Sequence, residues 1–357
     1  LRICGNTNKK PTPGNWRVRS FAKSRKEENE MKLKKIKIKR MVAVGTAILM
    51  TLSLAGCGIG SDSVKLGAAG VGGGYYAFSN AFAQIASSEN EDLDFEVKAT
   101  AGSTANIRLL SDGYVDMAIA QADLVDAAYN GTGATDKKRY RGYSAVASLY
   151  TEACQIVVRS DSGIDSLDDL QGKKISVGEE ESGTQRNAEQ ILKMTGLVES
   201  LVDTVNLDYV DAANELKSGQ IDAFFCTAGI QTSVIEELSK ECDVKLIGID
   251  DKCRDRLKSV YGFYTDYTIP AGTYEGQTQD VVTLGVRAVL LARDDMDEKI
   301  VEELTGLLFE HAQDIQYSIA LTFQIDESEA VKNVTIPFHD GAKAYYQKKG
   351  IEIPAEQ

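Results

Sequence analysis

Short strand-like runs alternate with helical patterns along the chain from residue 64 onward. In order, the pattern predicts a strand at 64–69, a glycine-rich loop at 70–74, a helix through Tyr76 to Ile85, a strand at 95–99, a helix at 105–110 behind Ser103-Thr104, and a strand at 116–120. The helices follow the spacing of three and four residues between apolar positions, and the strands follow alternation or short apolar runs. This order of elements predicts α/β lobes with mainly parallel sheets.

The same order of elements returns further along the chain. The pattern predicts a strand at 174–177, a helix from Ser182-Gly183-Thr184 to Met194, a strand at 205–209, a helix at 211–217 and a strand at 222–225. The motif Leu-x-x-Gly-x-x-Asp occurs at 110–116 and again, 106 residues later, at 216–222. The chain is therefore predicted to build two similar lobes.

Two such lobes bind a ligand where the carboxyl ends of strands meet the N-termini of helices, in the cleft between the lobes. Segments 152–159 and 264–273 flank the second lobe and are the predicted crossing hinge segments. Lobe 1 is then expected to comprise 64–150 and 270–357, and lobe 2 to comprise 151–269.

Charge separates a basic beginning from an acidic body. Residues 1–56 carry 14 basic and 3 acidic residues, whereas residues 57–357 carry 26 basic and 50 acidic ones; the whole chain of 357 residues has a net charge of −13. So acidic a body repels nucleic acid, which excludes a nucleic-acid partner.

The basic beginning contains the pattern of a secretory signal. Six lysines and arginines between 32 and 40 precede an uncharged, mostly apolar run at 41–55, which is shorter than the ~20 residues of a membrane-spanning helix. Leu54-Ala55-Gly56-Cys57 matches a bacterial lipobox, so residues 31–56 are predicted to be a lipoprotein signal peptide and Cys57 the lipidated residue. Two acyl chains suffice for stable anchoring. Residues 57–63 then read as a tether, and the protein is expected on the outer face of the bacterial cytoplasmic membrane.

Residues 1–30 do not fit a signal peptide because they are polar and contain prolines. Residues 26–30 can be encoded by a purine-rich, ribosome-binding run in front of Met31. We therefore expect translation to start at Met31, with 1–30 an untranslated leader or an extension.

Four cysteines lie in the acidic body. Cys154 and Cys226 stand in apolar runs and are expected to fill the core as small hydrophobic residues. Cys242 and Cys253 are closer together among polar residues, so an extracytoplasmic disulfide between them is one alternative and two free thiols the other. No pair has the spacing of a zinc or redox motif, and neither a metal nor a cofactor is expected.

Three loops at predicted helix starts are the candidates for ligand binding. The glycine-rich loop 70–74 has neither the spacing of a dinucleotide fingerprint nor a Walker lysine. Ser103-Thr104 and Ser182-Gly183-Thr184 open two further helices. Each loop alone can be a tight turn or an ordinary helix cap. Together, at equivalent places in two facing lobes, they can hold a carboxylate through positive helix ends and hydroxyl groups.

Catalytic motifs do not fit the sequence. There is no GxSxG and no HExxH, and the two histidines, His311 and His339, lie far along the chain from these loops. The acidic runs 179–181 and 250–251 are expected to be solvated faces. The chain is therefore predicted not to be an enzyme.

Several motifs follow one another along the chain: Gly72-Gly73-Gly74-Tyr75-Tyr76, 100–106, 120–123, 127–131, 182–188, 223–229, 269–274 and 341–346. In this order they resemble the TAXI family, the solute-receptor subunits of tripartite ATP-independent periplasmic (TRAP) transporters. The resemblance spans Val64 to about Ile351. It implies a periplasmic-binding-protein-like (type II) fold that closes on a small organic anion, such as glutamate or a dicarboxylate, and delivers it to TRAP permease subunits in the membrane.

Matching residue by residue, the resemblance implies a ligand site contributed by both lobes. The residues implied are Gly74, Tyr75, Tyr76, Ser103, Thr104, Asn106 and Gln121 from lobe 1, and Ser182, Gly183, Thr184, Thr227 and Ala228 from lobe 2. The alternatives to transport are a sensory receptor that feeds a signalling partner and, from another class, an extracytoplasmic enzyme on the same scaffold.

Overall fold

The computed structural model describes residues 63–133, 137–198, 200–319 and 325–354. The predicted leader 1–30, the signal peptide 31–56, Cys57 and all of its tether except Ser63 lie outside the described residues. Among the helices that are described, none is both long and apolar enough to cross a membrane.

Strands and helices alternate as the sequence pattern predicts. The strands are β1 Val64–Gly67, β2 Phe95–Lys98, β3 Met117–Gln121, β4 Tyr143–Arg159, β5 Lys174–Ser176, β6 Asp203–Val205, β7 Ala223–Ala228, β8 Val244–Leu246, β9 Thr265–Ile269 and β10 Val281–Arg293. The helices are α1 Gly74–Glu89, α2 Ser103–Ser111, α3 Ala122–Asn130, α4 Gly183–Thr195, α5 Tyr209–Ser218, α6 Ser233–Glu241, α7 Asp251–Val260, α8 Glu298–Glu310, α9 Ala312–Ser318 and α10 Asp340–Lys349. A short 3-10 helix occupies Asp168–Leu170.

The strands form two similar halves that meet at a pair of long strands. The order is β2-β1-β3-β10-β4-β7-β5-β6, with β8 beside β4 and β9 beside β10. In lobe 1, β2, β1 and β3 are parallel and β10 runs against them. In lobe 2, β6, β5 and β7 are parallel and β4 runs against them. Each lobe therefore completes its sheet with a strand that comes from the other lobe, which is the two-lobed α/β architecture predicted.

Two crossing strands are present, but only one coincides with a predicted hinge segment. β4 crosses as expected, and its first half packs in the core of lobe 1 while its second half packs in lobe 2. The return crossing is made by β10, where Leu284 and Val286 belong to lobe 2 and residues 288–292 to lobe 1. Segment 264–273 was the wrong choice, because β9 within it pairs with the first half of β10 and stays in lobe 2. The chain therefore re-enters lobe 1 near residue 287 rather than at 270.

The motif repeated at an interval of 106 residues adopts the same local structure in both lobes. Gly113 and Gly219 end their helices with the same φ of 75°. Asp116 accepts a hydrogen bond from the backbone N–H of Lys65 at 2.9 Å, and Asp222 accepts one from the backbone N–H of Lys174 at 2.9 Å. Each aspartate links the beginning of one strand to the beginning of the neighbouring strand. The repeated motif therefore has a structural role.

The cysteines of the body are free thiols throughout the described ranges, and the alternative of a disulfide between Cys242 and Cys253 is not realised. Cys253 belongs to the core that includes Ile156 and Phe225, whereas Cys242 packs against the core that includes Val157 and Phe224. Neighbouring residues of a strand point to opposite faces of a sheet. The two cysteines therefore lie on opposite faces of the lobe 2 sheet. Cys154 and Cys226 are buried, as predicted.

Candidate ligand-binding cleft

A small cavity of about 40 Å³ lies in the cleft between the lobes. The starts of α1 and α2 line it from lobe 1, and the starts of α4 and α5 line it from lobe 2. The end of β3, the end of β7 and Glu152 on the crossing strand β4 complete the lining. Since one water needs roughly 10–15 Å³ of such space, the cavity holds only a few waters. The cleft is therefore shut, and an organic ligand requires the lobes to part.

The structure brings together most of the residues that the resemblance implied. Gly74, Tyr75, Ser103, Gln121, Ser182, Gly183, Thr184, Thr227 and Ala228 all line the cavity. They come from helix starts and strand ends of both lobes, as the architecture requires.

Three implied residues do not line the cavity. Tyr76 follows Tyr75 on α1, and consecutive helix residues point about 100° apart, so only Tyr75 faces the cleft. Thr104 is exposed and lines a separate groove outside the cavity. Asn106 is fully buried and structural, because its side-chain amide donates to the carbonyls of Ala68 and Ile119 and so ties the end of β1 to β3.

The helices that start at the cleft are capped differently in the two lobes. α1 and α2 begin behind Gly73 and Gly102, and no side chain of the described residues caps either helix. α4 and α5 begin behind Ser182 and Asp208, whose side chains accept hydrogen bonds from their first turns. Uncapped first-turn N–H groups carry partial positive charge and attract anions. The anion-binding capacity of the cleft is therefore concentrated in lobe 1.

Hydroxyl groups fix the geometry around these helix starts. The Ser103 hydroxyl accepts from the backbone N–H of Gln121 at 3.1 Å. The Thr184 hydroxyl accepts from the backbone N–H of Thr227 at 3.2 Å and lies 2.6 Å from the Tyr209 hydroxyl. These contacts join α2 to the end of β3, and α4 to α5 and the end of β7. Ser103 and Thr184 therefore have structural partners in addition to their place in the cavity wall.

Direct contacts between the lobes hold the cleft shut. The Gln121 amide of lobe 1 donates to the Asn187 side chain of lobe 2 at 3.0 Å. The backbone carbonyl of Glu181 accepts from the N–H groups of Thr104 and Ala105 at 3.1 and 3.2 Å, and so caps α2 from the opposite lobe. The Glu181 carboxylate pairs with Arg108. Glu179 lines the cavity and Glu181 contacts lobe 1, whereas Glu180 is exposed, so the expectation of a solvated face holds for only part of segment 179–181.

Glu152 is the main cavity residue that sequence reasoning missed as a ligand contact. Only 3% of it is exposed, and the Tyr75 hydroxyl donates to its Oε2 at 2.6 Å. Burial raises the pKa of Glu152 to about 8, and the hydrogen bond from Tyr75 lowers it only in part. A lone glutamate inside the apolar run of β4 is a sequence signal that could have identified it, since buried acids are rare without a partner or a function.

Tyr209 and Asp208 were missed because the strand predicted at 205–209 ends at Val205, and Tyr209 opens α5 instead. With Glu152 and Glu179, Asp208 makes the cavity wall acidic, and no lysine or arginine among the described residues lines it. Across the part of the chain that the structure describes, no cluster of His, Cys, Asp or Glu could hold a metal ion.

The fold and the cleft together define a two-lobed periplasmic solute-binding protein. A model of the NMT1-like family matches residues 66–350, so the chain belongs to this family of periplasmic solute-binding proteins. MatC from Rhodopseudomonas palustris, solved with bound malate, is 14% identical over 75% of this chain and 91% of its own, with a TM-score of 0.53.

Two further solved structures are similar to this chain. A protein from Bordetella bronchiseptica RB50 is 16% identical over 81% of this chain and 98% of its own, with a TM-score of 0.53. The alkanesulfonate-binding protein SsuA from Xanthomonas axonopodis pv. citri is 14% identical over 81% of this chain and 80% of its own, with a TM-score of 0.44.

Proposed function

We propose that this protein is the lipid-anchored solute receptor of a TRAP transporter, of the TAXI type, and that it binds a small carboxylate such as glutamate, a similar amino acid or a dicarboxylate. The observation that carries the ligand class is the meeting of the starts of α1 and α2, which no side chain of the described residues caps, with the start of α4 at one interlobe cavity. Helix N-termini in that arrangement hold a carboxylate without an arginine.

The mechanism is closure of the two lobes around the ligand. The open form exposes the first turns of α1 and α2, and the carboxylate binds at the start of α1 and beside Ser103 on α2, because closure places the Glu181 carbonyl on the N–H groups of Thr104 and Ala105. β4 and β10 let lobe 2 swing in, which brings the Glu181 carbonyl onto α2 and the Asn187 side chain onto Gln121. The ligand shifts the population toward the closed form because it contacts both lobes only there. The closed form is then the one delivered to the permease.

The ordered motifs from loop 70–74 to 341–346 support the transport role over a sensory receptor, the second candidate. A permease encoded beside this gene supports transport, whereas a lone sensor kinase beside it supports sensing. Membership of a solute-binding family argues against an enzyme on this scaffold.

The anchor is tested at Cys57. Cys57→Ser removes the thiol that carries the diacyl group, so we expect the protein to be left without its covalent lipid. Metabolic labelling with a fatty acid measures the loss directly. Continued labelling of the variant would contradict the lipobox assignment.

The ligand class is tested by a thermal-shift screen of the purified protein, followed by calorimetry of each hit. The panel holds glutamate, glutamine, 2-oxoglutarate, malate and other C4 dicarboxylates, sugars and phosphate. A ligand that binds only the folded state stabilises it by ~2.7 kcal/mol at a hundredfold excess over Kd. We expect a shift with a carboxylate. A shift with a sugar or phosphate alone would contradict the proposed ligand class.

A further inference from the structure

The cavity contains a buried carboxyl group for which the wall supplies no opposite charge. Glu152 is 3% exposed, and its hydrogen-bond partners, the Tyr75 hydroxyl at 2.6 Å and the Gln121 side chain, are both neutral. The other ionisable groups of the wall are the carboxyl groups of Glu179 and Asp208 and the phenol of Tyr209. Placing a carboxyl here costs free energy that a neutral side chain would avoid.

No lysine or arginine of the described residues is among the groups that interact with Glu152. Those that interact with it electrostatically are Tyr75 from α1, Asp123 from α3, Tyr209 from α5, Cys226 from β7, and Tyr150 and Cys154 from β4 itself. None of these residues is positively charged.

Arg287, which lies on β10 beside the residue opposite Glu152, does not offset the charge of the Glu152 carboxylate. Arg287 of β10 stands opposite Thr151, whereas Glu152 stands opposite Val286, and adjacent positions of a strand face opposite sides of the sheet. Arg287 instead donates to the Ser148 hydroxyl and to the Leu149 carbonyl on its own side.

We infer that the ligand itself supplies the missing positive charge: it carries an ammonium group that pairs with Glu152 while its carboxylate binds at the helix starts of lobe 1. The inference rests on the proposed carboxylate receptor and narrows its ligand class to zwitterionic amino acids. A dicarboxylate without an amino group would place its second negative charge against three wall carboxyl groups, with no cation in the described wall to offset it.

A dicarboxylate ligand would be distinguished from an ammonium ligand by the protonation state of Glu152 in the complex. Glu152 could instead stay protonated and donate a hydrogen bond to a second ligand carboxylate, as a dicarboxylate would require. Burial raises the pKa of Glu152 to about 8, so the group is mostly protonated at pH 7 before the ligand binds. An ammonium ligand then drives about one proton off Glu152 on binding at pH 7, whereas a dicarboxylate drives none off.

The experiment compares ligands that differ only in the amino group. Calorimetry on the purified protein measures Kd for the common L-amino acids, for glutarate and succinate as the counterparts of glutamate and aspartate, and for putrescine as an amine without a carboxylate. We expect an amino acid to bind at least about 30-fold more tightly than its counterpart, and Glu152→Gln to lose at least about 30-fold. Asp123→Asn removes a buried carboxyl outside the cavity wall and should change Kd less than about threefold.

Proton release provides a readout that does not depend on a variant folding. Titrations of the native protein at pH 7 in two buffers of different ionisation enthalpy should show about one proton released per amino acid bound, and close to none at pH 9. Glutarate or succinate binding as tightly as the amino acid, or proton uptake, would overturn the inference and leave the carboxylate receptor standing. Binding of putrescine alone would support the ammonium site and overturn the carboxylate receptor. Binding of none of the probes would overturn both.

Discussion

Lobe 1 and lobe 2 have the same strand order and the same aspartates that link neighbouring strands. They differ in how the N-termini of their helices are capped. Ser182 and Asp208 cap α4 and α5 within lobe 2. α1 and α2 of lobe 1 start at glycine, and α2 receives its hydrogen-bond acceptor from Glu181 of the other lobe. The helix starts of lobe 2 are thus capped within the lobe, whereas α2 of lobe 1 is capped only on closure. We therefore expect the ligand to bind lobe 1 first and lobe 2 to close over it.

The largest expected effect is the dependence of stability on pH that Glu152 causes. Its hydrogen-bond partners, Tyr75 and Gln121, belong to lobe 1. Its pKa is about 8 in the folded protein, against 4.5 for an ordinary solvated glutamate. Because the pKa is higher in the folded protein than in the unfolded chain, the protonated carboxyl contributes its full stabilisation below the unfolded-state pKa. This stabilisation is lost as the pH rises through the folded-state pKa. We expect the free energy of unfolding of the ligand-free protein to fall by up to about 1.4 kcal/mol per pH unit between about 4.5 and 8 from this group.

Urea unfolding at pH 5 to 9 measures this slope, and Glu152→Gln should flatten it between pH 6 and 8. Asp123→Asn is the matched control. The pKa of Asp123 is raised by burial to about 6, so its contribution to the slope ends near that pH. An unchanged slope in Glu152→Gln between pH 6 and 8 would show that the group is already charged in the folded protein.

The next effect concerns the contact between Gly183 of lobe 2 and Gln121 of lobe 1. A Cβ atom at Gly183 would lie 2.6 to 2.7 Å from the Gln121 amide, which is buried and bonded to Asn187. Gly183→Ala should therefore oppose closure and weaken ligand binding by about 1–3 kcal/mol. The free energy of unfolding without ligand should change little, since the lobes can stay apart.

Calorimetry with the ligand found in the screen and urea unfolding together test this prediction. Gly262→Ala is the control, because an added Cβ there meets nothing within 4 Å. Equal Kd values for Gly183→Ala and the native protein would mean that the closed contact is not part of the bound state.

The smallest expected effect concerns the ion pair between Arg108 and Glu181 at the rim. The two side chains are 39% and 41% exposed, so solvent and salt screen their attraction. Glu181→Gln should weaken ligand binding by less than about 1 kcal/mol, and the difference should vanish at high salt, because the backbone carbonyl that caps α2 remains. A larger loss of ligand affinity that does not depend on salt would show that the Glu181 side chain, rather than its backbone carbonyl, stabilises the closed form.

Periodicity located the strands and helices well where a pattern was long, as at α1 and α4. It failed at 205–209, where Asp208 caps a helix within a run that alternates like a strand. It could not choose the second crossing segment, because β9 and β10 are both strands and only their pairing shows which one leaves the lobe. The site residues that were predicted correctly stand at helix starts and strand ends of both lobes. Asn106 was misplaced because an amide near a helix start can face the cleft or the core.

The sequence by itself determined the two-lobed plan, the repeat and the starts of α1, α2 and α4, because each depends on patterns of residues near one another in the chain. Only the tertiary structure decided that Glu152 lies in the cavity wall, that Glu181 caps a helix of the other lobe, and that Cys242 and Cys253 lie on opposite faces of a sheet. These relations depend on contacts between segments that are far apart along the chain. Local pattern therefore could not specify them, whereas the packing of the two lobes does.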